Sequence, residues 1–394
     1  MRQVIAHGDR QSGAIRLLNA HIRGVVSLDG AEITNDSGPA VFADGLRTDS
    51  TLFLNRATMS GVGEKGAVCL LSAHIGGPAE LRHTKITNHS GPALHADRLR
   101  TDSTLFLNGA TIRGAHKHGA LRLPGAHIGG QLNMVDTQVV NDFGLLMTLN
   151  EVTVKGKLIF PATAVCPHGQ PESGTRTCPD ANRQMAVRDL TFPRLDDATW
   201  QQWLHLLVHH TAVYRSQPFQ QLASVERAAG HDGSARQILI TQQDDLRRRT
   251  PQVLGGRLGQ RRHQLWGWLG RYGYRAHRLV VALFVVLALS GGMAYLAGQV
   301  PTRLGHHAAE RVTTPAATPA IGPGVPCSTA ELLGLGIDRG LPIGTTGLRA
   351  RCDLDTTTQL GQAFTYALWA LQAMLWALAT LAAAAYTGLV RKPT

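Results

Sequence analysis

Cys166, His168 and Cys178 fall in the string CPHGQPESGTRTC, and two thiols with an imidazole are potential zinc ligands. Their spacing, C-x-H-x9-C, matches no compact zinc motif and leaves a fourth ligand unassigned, so the two cysteines read equally as a redox pair. Cys327 and Cys352 lie with 24 residues between them, in a segment flanked by two long apolar runs. On the outer side of a membrane such a pair can oxidise, and closing a loop of that length contributes about 3–4 kcal/mol in the chain-entropy view. Cys69 stands between Val68 and Leu70, a position expected to face outward as an ordinary thiol.

Other candidates dissolve on inspection. His21, His74 and His127 occupy one repeat position, and imidazole is a common metal ligand. However, 53 residues separate each from the next, which sets them more than one rung apart, as surface residues copied with their repeat. Gly61-Val-Gly63-Glu-Lys-Gly66 satisfies G-x-G-x-x-G, but a dinucleotide site needs a strand before it and a helix after it. This string joins two repeats. His306-His307-Ala-Ala-Glu310 sits in a Thr/Pro/Ala-rich stretch, poor ground for a rigid site. P-loop, H-E-x-x-H and G-x-S-x-G strings do not occur, no acid–base pair can be assembled, and no cofactor is indicated.

The elements that must position these residues begin with a repeat. RTDSTLFLN at Arg47–Asn55 recurs at Arg100–Asn108, and Asn35-Asp-Ser-Gly38 returns as Asn88-His-Ser-Gly91 and Asn141-Asp-Phe-Gly144. Units of 53 residues start at 13, 66 and 119, the mark of a chain that stacks units unable to bury their apolar faces alone. Within them, triplets such as Leu17–Ala20–Ile22 and Leu70–Ala73–Ile75 put a small and a large residue two apart, on the inward face of a short strand. Glycines 24, 61, 76, 114 and 129 follow, where the chain is expected to turn corners. The pattern predicts a parallel β-helix over 1–160, with several rungs per unit and a longer excursion across Thr34–Thr51. It resembles a degenerate pentapeptide repeat, a resemblance that implies a right-handed, four-sided solenoid.

Residues 161–195 read as a Pro/Gly-rich loop and 196–250 as a helical connector. Trp200, Trp203, Leu204 and Leu207 share one helical face, Ser216 precedes a second helix over 219–229, and a third starts at Asp232 or Ser234. The connector is expected to cap the open end of the solenoid, whose free strand edge invites association. The opposite end shows no comparable cap.

Leu279–Val300 and Ala363–Val390 carry no charge and are long enough to span a bilayer. Arginines crowd the first run's N-terminal flank, and Arg391-Lys392 follows the second. By the positive-inside tendency both termini are cytoplasmic and 301–362 lies outside. The first residues lead directly into the repeat without a signal peptide, which keeps the solenoid in the cytoplasm. The chain's formal net charge is +12, and between Leu246 and Arg278 there are nine arginines and no acid. Next to a span, Arg261, Arg262, Arg271, Arg275 and Arg278, interleaved with Trp266, Trp268 and Tyr272, suit anionic lipid headgroups better than nucleic acid. Small residues, among them Gly291-Gly292 and Ala379, Ala383 and Gly388, allow the spans to pair with each other or with a second copy. The solenoid ends offer another route to homo-oligomers.

Together, the repeats, the connector QPFQQLASVERAAGHDGSARQILITQQDDLRRR, the segment WGWLGRYGYRAHR and the two spans resemble a family of actinobacterial membrane proteins labelled membrane-associated oxidoreductases. The resemblance implies a shared architecture and, through that label, a redox activity; it places no catalytic residue. The residues themselves argue for a membrane-anchored cytoplasmic β-solenoid acting as a scaffold or interaction module. The alternative is a membrane-bound oxidoreductase centred on Cys166/Cys178 or a flavin. Transport is opposed by the near absence of ionisable residues in the spans.

Overall fold

Ile5 pairs in parallel with Glu32, Glu32 with Thr58, Thr58 with Lys85, Lys85 with Thr111, and Thr111 with Gln138. One coil therefore takes 26 or 27 residues, and the 53-residue unit is two coils. In the computed structural model, four sides of two to four residues each make up a coil, and they stack into parallel sheets of six, seven, six and seven strands. The chain is described at residues 4–168, 179–256, 259, 261, 264, 277–312, 324–340 and 351–386. It divides into two units, Met1–Val253 and Leu254–Thr394. The expected excursion across Thr34–Thr51 is not one: Val41–Phe42 and Arg47–Thr48 are regular sides of a coil.

Inward positions form the core, with Ala31, Ile33, Ala57, Met59, Ala73 and Ile75 each at most 1 % exposed. The sequence repeats every second coil because neighbouring coils turn one corner differently. Gly8, Asn35, Gly61, Asn88, Gly114 and Asn141 stand in register along one corner. Each asparagine amide reaches across the bend: Asn35 Nδ2 donates to the carbonyls of Pro39 (2.7 Å) and Arg10 (2.9 Å), and Asn88 Nδ2 to those of Pro92 (2.8 Å) and Gly63 (2.9 Å). A Cβ on Gly61 would stand 2.9 Å from the Gly38 carbonyl oxygen, so the alternate coil must carry glycine. Another side alternates Ile22, Thr48, Ile75, Thr101 and Ile128. Thr48 and Thr101 hydroxyls donate to the carbonyls of Gly24 and Gly77 at 2.6 and 2.7 Å.

The left-handed corners of the coils fall on none of glycines 24, 61, 76, 114 and 129 but on the residue before an Ala, Thr, Leu or Val at the inward position. Gly30, Gly45, Gly109 and Gly125 hold some, but Asn19, Arg56, Ser72, His83, Arg98, Asp136 and Glu151 hold others at φ between 50° and 61°.

The ladder continues past residue 160. Met185–Ala186 pairs with Met147–Thr148, Arg194–Asp196 pairs with Lys157–Ile159, and Thr211 bridges to Met185. Helix α1 (Trp200–His209) then covers the last coil. Thr199 and Gln202 form a reciprocal capping box at its start, and Trp203 packs edge-on against Phe160 (5.1 Å) and Phe192 (5.8 Å). Helices α2 (Gln217–Ala228) and α3 (Asp232–Arg249) complete the cap. Ser216 precedes α2 but its side chain makes no capping bond.

In the second unit, α4 (His277–Gln299) and α6 (Gln359–Tyr386) pack through Leu279, Val286, Leu375 and Leu378. Between them in sequence, α5 (Thr329–Gly340) lies against α4. There the small residues serve this contact: Ser290 Oγ donates to the Gly336 carbonyl at 2.7 Å, and a Cβ on Gly298 would meet Leu332 at 2.3 Å.

Candidate functional site

Cys166 follows a single 3-10 turn, Ala162–Ala164, at the end of the last full coil. It is buried, and its amide donates to the Ala162 carbonyl at 2.8 Å. Across from it stand His205, on α1, and His210, the residue that caps α1. Among the described residues these three alone bring three potential metal ligands together, with ligand atoms within 4.8 Å of one another. Cys166 Sγ and His205 Nε2 are 4.0 Å apart.

The surroundings fix this cluster. His210 Nδ1 donates to the Arg183 carbonyl at 2.8 Å, which leaves Nε2 as the lone-pair nitrogen. The Arg183 side chain donates to the carbonyls of Val165 (2.9 Å) and Ala164 (3.1 Å), beside Cys166. One residue thus orients both the thiol's turn and the imidazole. Asp180 accepts the Cys166 thiol and also the backbone N–H and ring Nδ1 of His168, at 3.1 and 2.8 Å. Burial pulls the Asp180 carboxyl upward, but these hydrogen bonds hold it below the usual range. Burial and then the neighbouring rings of His209 and His210 push His205 down to about 4, and burial likewise lowers His209 and His210.

Of the residues singled out in the sequence, His168 is turned to Asp180 and Cys178 lies outside the described residues. The histidines of Trp-Leu-His-Leu-Leu-Val-His-His were the missed signal: only the coil-to-helix packing brings them to Cys166. Cys69 is 2 % exposed, contrary to expectation. The turn bearing Lys65 touches both Phe42 and His95, its ladder neighbours, and burial raises the thiol's pKa.

His21, His74 and His127 alternate with Arg47 and Arg100 along their side. Successive imidazoles are thus two coils apart, about 10 Å at a strand spacing near 4.8 Å, too far to share a cation. His21 and His74 instead pair with Asp49 (3.0 Å) and Asp102 (3.2 Å). A cleft of about 200 Å³ opens between the last coil and the cap, walled by Leu145, Met185, Val187, Leu207, Val213 and Phe219. Arg188 and Arg215 line it, but no acid, thiol or imidazole does, so it holds no acid–base or nucleophilic pair.

In the second unit Cys327 and Cys352 stand at disulfide distance, 1.93 Å. His306-His307-Ala-Ala-Glu310 is folded rather than loose. It contributes to two short antiparallel pairings, and Glu310 accepts from the His307 amide at 2.6 Å and lies 3.1 Å from His306 Nδ1. Arg261 and Arg278 are exposed, whereas Arg262, Trp266, Trp268, Arg271, Tyr272 and Arg275 lie outside the described residues.

No family model matches this chain, and neither a curated protein nor a solved structure does. The oxidoreductase family that the sequence resembles thus receives no support from these comparisons.

Proposed function

We propose that the chain is a membrane-anchored scaffold: a cytoplasmic β-solenoid tethered to the plasma membrane by α4 and α6, with the disulfide-bearing segment on the far side. One observation carries the reading. The two candidate spans, Arg278–Gln299 and Gln359–Ala384, bury only 28 % and 17 % of their most apolar windows. Val281, Phe284, Val285 and Leu289 on α4, and Tyr366, Trp369 and Trp376 on α6, are exposed. A soluble core helix buries such side chains, each worth about 1.5–3 kcal/mol when removed from water; a bilayer covers them instead. Their lengths, about 33 and 39 Å at 1.5 Å per residue, exceed the roughly 30 Å of a hydrocarbon core.

Orientation rests on the arginines before α4, with Arg261, Arg262, Arg271, Arg275 and Arg278 set against anionic headgroups and Trp266, Trp268 and Tyr272 at the interface. The scaffold reading is supported by a polar, repetitive exterior and by a cleft at the cap that no acid, thiol or imidazole lines. Alkaline carbonate extraction, followed by protease shaving of intact and permeabilised cells, tests it. The chain is expected in the carbonate-resistant pellet, cut from outside only within 301–358. Release by carbonate, or external cleavage within the solenoid, sinks the reading.

A further inference from the structure

We propose that Cys166, His205 and His210 bind one zinc ion that fastens the helical cap to the end of the solenoid. The three ligands come from two different pieces of structure: the turn ending the last coil, and α1 with its C-terminal cap. Tetrahedral zinc with bonds of about 2.3 Å to sulfur and 2.0–2.1 Å to nitrogen separates S from N by about 3.6 Å. Cys166 Sγ and His205 Nε2 stand at 4.0 Å, so that pair closes with a shift of roughly half an ångström, and all three ligand atoms already lie within 4.8 Å of one another. His210 is pre-set by its bond to the Arg183 carbonyl, the kind of outer-shell partner that orients metal-bound histidines. Asp180 accepts from the Cys166 thiol and stands outside the ligand set. A thiolate with two imidazoles selects a borderline cation such as zinc over magnesium or calcium, which take oxygen ligands.

Zinc takes the Cys166 sulfur as thiolate, so binding releases the proton on Cys166 Sγ to buffer. Three protein ligands leave the fourth position to water or a further donor, and the ion's place between the last coil and α1 makes it a fastener of the two.

The test uses the full chain in detergent, stripped with a chelator and reloaded with zinc or cobalt(II) alone. One metal per chain is expected, with one proton released per zinc in calorimetry across buffers of different ionisation enthalpy. Cobalt should give a thiolate charge-transfer band that is lost in Cys166→Ser and kept in Cys69→Ser. His205→Gln, at a half-buried position, should weaken zinc more than about 100-fold, the upper end of what losing an outer-shell partner costs. His209→Ala, on the same helix but outside the ligand set, should leave affinity within about threefold. Because the cobalt band is read in the unaltered chain, misfolding of a variant cannot excuse its absence. No band, or a band that survives Cys166→Ser, overturns the proposal.

Discussion

Arg249 ends α3 and ties three elements with one guanidinium. It donates to the carboxylate of buried Asp245 (2.8 Å), to the Thr211 carbonyl (2.7 Å) and to the Leu207 carbonyl (3.0 Å). Leu207 lies in the last turn of α1, where carbonyls lack intrahelical partners, and its carbonyl also accepts from the Thr211 hydroxyl at 2.6 Å. Arg249→Ala leaves Asp245, whose side chain is 2 % exposed, charged and unpaired, so it should cost about 3 kcal/mol or more, read as a lower urea midpoint for the cap. By contrast, His21 and Asp49 are each more than half exposed. His21→Ala should change stability by less than about 0.5 kcal/mol in the same assay. Glu331 illustrates the pH dependence of an ordered carboxylate. It accepts from the Ser328 amide and hydroxyl, at 2.9 and 3.0 Å, and from Arg311 at 3.1 Å. The Ser328 amide first, then Arg311, hold its pKa below the ordinary 4.5. A depressed carboxylate contributes stability above its unfolded pKa and loses it as pH falls through the folded value. Proteolysis around α5 should therefore rise below about pH 4.5, and Glu331→Gln should flatten that dependence.

At the scale of elements, the corners decide whether coils stack. Asn88→Ala removes two buried bonds to the Pro92 and Gly63 carbonyls and should destabilise the solenoid by roughly 2–3 kcal/mol, measured by thermal unfolding. Gly61→Ala, in the alternate coil, should cost at least as much, because its Cβ meets backbone rather than a movable side chain. The β-solenoid itself was legible: small and large residues two apart specify inward faces wherever a strand runs. The coil length was not legible, because Asn35 and Gly61 do the same topological task with different chemistry, and only the register shows them as equivalents. The left-handed positions at Arg56, His83 and Arg98 carry no compositional signal. The zinc ligands were half legible. Cys166 stood out by its type, but its partner His205 is 39 residues away in sequence and is set in place by Trp203 seating α1 against Phe160 and Phe192.

For the whole molecule, the two units should respond separately to reduction. The Cys327–Cys352 bridge spans 25 residues, a loop worth about 3.5 kcal/mol in the chain-entropy view. Reducing agent should open the 301–358 region to protease and leave the digestion pattern of 1–253 unchanged; a solenoid that also becomes labile would mean that the units unfold together. The apolar helices were readable from composition alone. That they expose rather than bury their apolar faces is a property of packing, and it is what separates a span from a core helix.

The alternation of asparagine and glycine corners sets a unit of inheritance. An asparagine corner has a glycine corner above it and another below, so a single coil cannot be removed or copied without stacking like on like. Length can change only in pairs of coils, about 53 residues and close to 10 Å at a time. Excising residues 36–88 rejoins Asn35 to His89, preserves the alternation and should give a shorter solenoid that folds. Excising 36–61 puts Asn35 in the place of Gly61, stacked directly on Asn88, and should give an aggregate. The verbatim recurrence of RTDSTLFLN is then the trace of a gene segment that could be duplicated only whole.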